Sequence, residues 1–177
     1  MTTLLELPEL RDVPELTTAT NGIPTPPPRE IIVRHLNEFS AEDETTTANT
    51  LLGNRYLCRG GALLLAGPTG IGKSSFTYQA CILWALGRPF HGIRPSNPLR
   101  VLIVQAENDD GDIAEIRNGV FRGLQLTDDE QAEACRQVQV VCETAATGHE
   151  FVSLLAGLVE KHKPDLIVID PLFEIGR

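Results

Sequence analysis

The chain lacks any apolar run long enough to cross a membrane, and its four cysteines form no C-x-x-C pair. A membrane helix needs about 20 consecutive apolar residues, and closely paired cysteines usually mark a zinc or redox site. The N-terminus also lacks the basic and apolar segments of a signal peptide. We therefore expect a cytoplasmic protein with reduced, buried or half-buried thiols, no membrane contact and no structural zinc.

Acidic residues are absent from one segment of an otherwise acidic chain. The net charge is −9, yet residues 61–100 contain four basic residues and no Asp or Glu. Residues 101–150 contain eleven acids against three bases, which we interpret as solvated helix faces. An acidic total argues against a domain that coats nucleic acid. An acidic net charge is compatible with a motor protein that binds DNA through a few local contacts.

Proline is concentrated at the N-terminal end, where residues 1–30 hold six of the twelve prolines. Such a composition is typical of a flexible or polyproline-like segment. We predict a Pro-rich arm and linker over residues 1–50, with a short helix over Glu30–Phe39 and an exposed loop over 42–47. Residues 51–177 are then long enough to form one globular domain.

Strand and helix patterns alternate through this second part, which predicts an α/β domain with a parallel sheet flanked by helices. Short apolar runs predict buried strands, and Thr127 to Glu130 has the pattern of a capping box. The predicted strands are 62–66, 101–105, 138–141 and 166–170. The predicted helices are 74–86, one ending near Gly123, one opening at the capping box, and an amphipathic one ended by Pro164.

Between the first predicted strand and the first predicted helix lies a glycine-rich loop that matches G-x-x-x-x-G-K-S/T. Glycines allow a loop to curl with its backbone N–H groups turned toward a phosphate, and the helix N-terminus adds positive partial charge. Lys73 is expected to reach the β- and γ-phosphates, and the Ser74 hydroxyl to bind Mg²⁺. The predicted nucleotide-binding residues are Gly67, Pro68, Thr69, Gly70, Ile71, Gly72, Lys73, Ser74 and Ser75.

Two carboxylates follow predicted strands. Asp170 ends the last apolar run, which is the Walker B pattern, and is expected to hold Mg²⁺ directly or through water. Glu107 follows the second strand and would lie at the same sheet edge, where it could orient the attacking water. The alternative is that Glu107 only begins the acidic start of the next helix, with Asp109 or Asp110 as N-cap.

Together, the segments 56–67, 101–116 and 165–172 resemble the RecA-like ATPase core, and within it the RepA-type replicative helicases of the AAA family ATPases. The resemblance covers residues 51–177. It implies ATP rather than GTP, and no base-reading N-K-x-D of G proteins is present. It also implies Mg²⁺, Glu107 as the water-activating residue, and a ring-shaped homo-oligomer such as a hexamer with nucleotide between subunits.

The chain departs from this resemblance at its C-terminal end. In the RecA-like class a later strand lies between the P-loop strand and the Walker B strand, and the phosphate sensor and DNA-binding loops follow it. We therefore expect these residues to be the N-terminal part of a longer protein, truncated after the Walker B strand.

The leading functional hypothesis is an ATPase that belongs to a DNA helicase or related motor. A non-hydrolysing nucleotide-binding or regulatory module is the main alternative, and a small-molecule kinase is a third. Trp84 is predicted to lie in the core rather than on a base-stacking surface. Tyr56 could approach the adenine.

Overall fold

The computed structural model describes residues 33–38 and 49–171. The chain divides into two units, residues 1–41 and residues 42–177. In the first unit, the described residues form a single exposed 3-10 turn, Leu36–Glu38. Residues 33–35 are not helical, so the helix predicted over Glu30–Phe39 is wrong there. The prolines of the predicted arm, all within residues 8–28, and the loop predicted over 42–47 lie outside the described residues.

The second unit contains a three-stranded parallel sheet, which confirms the predicted α/β class. The strands are β3 (Val101–Gln105), β4 (Val138–Cys142) and β5 (Leu166–Asp170), in the order β4-β3-β5. All residues of β3 are buried, as expected for a central strand covered on both faces. The three strands are in register, so their carboxyl ends meet at one edge of the sheet.

The helices confirm most of the predicted boundaries. They are α1 (Lys73–Ala85), α2 (Asp110–Leu124), α3 (Asp128–Gln137) and α4 (Gly148–His162). After α1 the chain turns at Gly87, whose φ of +70° is a conformation that glycine adopts without strain.

Side-chain caps define the starts of two helices. The Asp109 carboxylate accepts a hydrogen bond from the backbone N–H of Asp112 at 2.9 Å and caps α2. Thr127 and Glu130 form the predicted capping box of α3. Local sequence therefore determines these starts, because each cap satisfies N–H groups that the helix itself leaves free.

The main core lies between α1 and one face of the sheet. Tyr78, Trp84 and other α1 residues pack in one buried cluster with Val101 and Ile103 of β3. Trp84 is a core residue, as predicted, and its indole N–H donates to the carbonyl of Ile93 at 3.1 Å. A second cluster joins α1 to α2 and α3 through Ile82, Phe121, Leu126 and Ala134.

The amphipathic stripe predicted for α4 is only partly covered. Phe151 is buried, but Leu154, Leu155 and Leu158 are half-buried and Val159 is 39% exposed. Every residue of β5 is likewise half-buried. Helix α4 and strand β5 therefore pack less completely than α1 and β3.

The strand predicted over residues 62–66 is wrong. The segment has no strand structure, and Leu63, Leu64 and Leu65 are 67%, 76% and 47% exposed. A strand requires a neighbour for its backbone groups, and in the described part of the chain the segment pairs with none of the strands. The segment is preceded instead by an antiparallel pair that was not predicted, β1 (Thr50–Leu52) with β2 (Leu57–Cys58).

All four cysteines are free. Burial raises the pKa of the Cys81 thiol to about 12, but Cys135 and Cys142 are exposed, contrary to the expectation of buried or half-buried thiols.

Within residues 33–38 and 49–171, no helix is both long and apolar enough to span a membrane. The same residues contain no cluster of His, Cys, Asp and Glu that could hold a metal ion by itself.

Candidate functional site

The glycine loop forms an exposed turn directly ahead of α1. Gly70 and Gly72 have φ values of +81° and +87°, in the left-handed region that disfavours other residues. A Cβ added to Gly67 would lie 2.6 Å from Cδ1 of Ile71, so a side chain there would displace the isoleucine. These three glycines allow the loop to curl back over the first turn of the helix.

Lys73 is the first residue of α1, and its side chain turns back into the loop. Its ammonium donates to the carbonyl oxygens of Gly67 at 3.0 Å and Pro68 at 2.9 Å. Ser74 follows in the same turn and is half-buried, whereas Ser75 is exposed. Because the first N–H groups of a helix have no partner within it, this turn presents donors toward an anion.

Asp170 ends β5 at the carboxyl edge of the sheet. Its backbone carbonyl accepts a hydrogen bond from the N–H of Ala106 at 3.0 Å, which continues the pairing with β3. Its side-chain Oδ2 is buried and has no hydrogen-bond partner. A buried carboxylate oxygen is costly unless a donor or a cation compensates it, so the site fits an occupant of that kind.

Glu107 lies two residues beyond β3 and is exposed. It lines an open cavity of about 600 Å³ between the start of α2 and the end of β4, together with Asp109, Asp110 and Thr144. Asp109 is the N-cap of α2, as the alternative interpretation of Glu107 expects, and Glu107 lies two residues before it. The position is accessible to water at the same edge of the sheet.

Two buried polar residues, which the sequence analysis did not identify, lie near Asp170. Gln105 is 1% exposed, and neither atom of its amide has a hydrogen-bond partner. The hydroxyl of Tyr78, on α1, is buried and unpartnered in the same way. Burial, with smaller contributions from Cys142 and Asp170, raises the pKa of Tyr78 to about 12. In the sequence, Gln105 could have been recognised because it is a polar residue at the end of an otherwise apolar strand.

The opposite edge of the sheet carries an ion-pair cluster. Asp165 pairs with Arg59 and with Arg100, each at 3.2 Å, and also accepts from the backbone N–H of Arg100 at 3.1 Å. Burial alone would raise the pKa of Asp165, but the hydrogen bonds to Arg100 and Arg59 outweigh it and lower the pKa. This cluster ties the end of β2 to the start of β3, away from the glycine loop.

The structure brings some of the predicted site residues together and leaves others apart. Gln105 and Asp170 are register partners on adjacent strands, and Tyr78 places the second turn of α1 within electrostatic range of Asp170. Among residues 49–171, no hydrogen bond or ion pair joins Lys73 or Glu107 to Asp170. The donor set fits a magnesium-bound triphosphate, because loop amides and an ammonium suit the anion while a hydroxyl and a carboxylate suit the cation.

Comparison with protein families gives one match that spans most of the chain. The model of the AAA domain matches residues 26–175 and so includes the glycine loop, Glu107 and Asp170. Comparisons with curated proteins and with solved structures give no match.

Proposed function

The chain belongs to the AAA domain family, and from that premise we propose that it binds ATP with Mg²⁺ and hydrolyses the γ-phosphate. The observation that carries the proposal is the unpartnered, buried Oδ2 of Asp170 at the sheet edge that α1 approaches. Such an oxygen, beside a helix that begins with a glycine loop and a lysine, suits a metal-bound triphosphate.

The residues of the site have distinct roles in this proposal. The backbone N–H groups of residues 69–74 surround the phosphates, and Lys73 leaves the carbonyls of Gly67 and Pro68 to neutralise phosphate charge. Ser74 and Asp170 hold Mg²⁺, which when bound neutralises charge that develops on the phosphate oxygens. Glu107 accepts a hydrogen bond from a water molecule and orients it, a role that its exposed position permits.

We propose further that this ATPase is part of a DNA-acting motor of the RepA type, assembled as a ring-shaped homo-oligomer. Support comes from the resemblance of segments 56–67, 101–116 and 165–172 to the RecA-like core. An arginine supplied by a neighbouring subunit would complete such a site. Tyr56 is 59% exposed, which leaves its ring available to contact the adenine.

A further strand beside the glycine-loop segment is part of the same proposal. Leu63 and Leu64 are exposed, and within residues 49–171 strand β5 pairs on one edge only, with β3. A strand that pairs with both segments would bury the leucines and satisfy the backbone groups of β5. This strand is what the RecA-like resemblance implies.

A non-hydrolysing nucleotide-binding module is the second candidate. It is favoured by the position of Lys73, whose ammonium binds loop carbonyls, and by the absence, among residues 49–171, of a hydrogen bond between Glu107 and Asp170. In that case the protein would bind ATP through the glycine loop but would not activate water.

ATP binding and single-turnover hydrolysis separate these candidates. By calorimetry with Mg²⁺, Lys73→Ala should weaken ATP binding at least about tenfold, because charge-assisted hydrogen bonds to phosphate are lost. Glu107→Gln should keep ATP affinity but lower the single-turnover rate by about 10² or more. Single-stranded DNA should increase the wild-type turnover rate if the protein is a DNA motor.

Each variant has a control that removes a charge of the same sign from a residue outside the proposed site. Lys161→Ala, at the end of α4, and Glu115→Gln, on the exposed side of α2, should leave ATP affinity and turnover unchanged. Undiminished ATP affinity in Lys73→Ala would contradict the proposed site. Binding without turnover in both wild type and Glu107→Gln would support the non-hydrolysing module, and turnover unaffected by DNA would count against the motor.

A further inference from the structure

Four buried polar atoms without hydrogen-bond partners lie near the carboxyl edge of the sheet. They are the hydroxyl of Tyr78, Oε1 and Nε2 of Gln105, and Oδ2 of Asp170. In the described part of the chain, the only other buried side-chain atom of this kind is Oγ1 of Thr50, in β1. Unpartnered buried groups reduce stability, so three neighbouring residues that all have them point to a function.

The strand register places these groups on one face of the sheet. Side chains alternate along β3, so Gln105 shares a face with Val101 and Ile103, which pack in the same cluster as α1. Asp170 is the register partner of Gln105 on β5 and therefore points to that face too. Tyr78 belongs to the α1 side of the cluster. The three polar groups thus form a layer under the phosphate-binding helix.

The donors and acceptors of this layer are complementary. The Tyr78 hydroxyl can donate to Oε1 of Gln105, and Nε2 of Gln105 can donate to Oδ2 of Asp170. Burial raises the pKa of Tyr78 to about 12, so the hydroxyl keeps the proton that it would donate. The Gln105 amide can form hydrogen bonds with Tyr78 and Asp170 at the same time, because its oxygen is an acceptor and its nitrogen is a donor.

We propose that Tyr78 and Gln105 are positioning residues that form a hydrogen-bonded relay to Asp170 when the metal-bound nucleotide occupies the site. The relay rests on the proposed function, in which Asp170 holds Mg²⁺. Tyr78 lies on the same helix as Lys73 and Ser74, so the relay links the phosphate-binding turn to the metal-binding carboxylate. Because a carboxylate oxygen has two lone pairs, Oδ2 can accept from Gln105 and still bind the metal, so the amide fixes the orientation of the carboxylate.

Removal of a single hydroxyl tests the relay. Tyr78→Phe should leave the unfolding midpoint of the free protein unchanged or raise it, since the free protein loses only an unpartnered buried group. It should lower the gain in ATP affinity that Mg²⁺ provides by roughly two- to tenfold, because the hydrogen bond that orients the Gln105 amide toward Asp170 is lost. Affinity for ATP without Mg²⁺ should not change. The measurements are thermal unfolding and calorimetry with ATP, each with and without Mg²⁺.

Two further variants sharpen the test. Gln105→Met, which keeps the length of the side chain but not its amide, should lose the same Mg²⁺-dependent gain. The double variant should lose no more than either single variant, because one relay is broken in each case. Gln139→Met removes the amide of an exposed glutamine on β4 and should change none of these quantities.

The possible outcomes distinguish the relay from the function on which it rests. If wild type gains no ATP affinity from Mg²⁺, the proposed function and the relay both fail. If wild type shows the gain and Tyr78→Phe retains it in full, the relay alone is overturned. Tyr78→Phe that destabilises the free and ligand-bound protein equally would show a structural hydroxyl and also overturn it. If Gln105→Met does not fold, the tyrosine variant decides the question.

Discussion

Two short apolar runs, residues 62–66 and Val101–Gln105, differ strongly in solvent exposure. Both were predicted as buried strands of one parallel sheet. In β3, Ile103 is fully buried and each of its neighbours is at most 2% exposed. In the other run, Leu64 is 76% exposed and no strand forms. Apolar composition alone therefore does not determine whether a segment becomes a strand.

The difference follows from neighbours and from side-chain type. Strand β3 lies between β4 and β5 and forms a ladder of backbone hydrogen bonds with each. Residues 62–66 have no strand beside them in the described part of the chain. Composition adds to the effect, because β3 is rich in Val and Ile whereas the other run contains only Ala and Leu, which favour strands less.

Ile103→Ala tests the buried side of this comparison and should have the largest effect. Ile103 has no exposed surface, so truncation should cost about 2–5 kcal/mol of unfolding free energy through lost burial and an added cavity. Urea denaturation would measure the cost. Val152→Ala, at a 62% exposed site on α4, should stay within about 0.5 kcal/mol of wild type. A cost below about 1 kcal/mol for Ile103→Ala would contradict the central position of β3.

Asp165→Asn tests the ion pairs that connect the two regions, because Arg59 lies near the start of the exposed run and Arg100 directly precedes β3. At pH 7 the variant should cost about 1–3 kcal/mol, the usual range for a hydrogen-bonded charged group. The pKa of Asp165 is lower in the folded protein than the ordinary value of 3.8. Its stabilising contribution is therefore complete above that value and is lost as the pH falls through the folded pKa.

Urea denaturation of wild type and Asp165→Asn at pH 7 and near pH 3 would check both statements. The difference between the two proteins should shrink at the lower pH. Asp128→Asn, an exposed acid in the first turn of α3, serves as the control for loss of a carboxylate. A difference that is the same at both pH values would show that the charge of Asp165 is not what stabilises the fold.

Local signals in the sequence predicted much of this fold. The caps of α2 and α3, the turn at Gly87 and the apolar strands β3 and β5 depend on residues within a few positions of one another. The β1–β2 pair and the exposure of residues 62–66 depend on which segments become neighbours, which no local pattern reveals. The candidate site divides in the same way. The glycine loop and Asp170 are motifs, whereas Tyr78 and Gln105 come near Asp170 only through the packing of α1 on the sheet and through strand register.

Leu64→Ala tests the exposed side of the comparison and should have the smallest effect in this chain. At 76% exposure the leucine contributes little, and truncation should change the unfolding free energy by less than about 0.5 kcal/mol. If the proposed strand covers this run in a longer form of the protein, the same substitution in that extended chain should cost about 2–5 kcal/mol. Leu126→Ala, at a site that is 6% exposed here, should be destabilising in both chains. A neutral Leu64→Ala in the extended chain would mean that the run stays outside the sheet, because a leucine packed between strands cannot be truncated without loss of buried apolar surface.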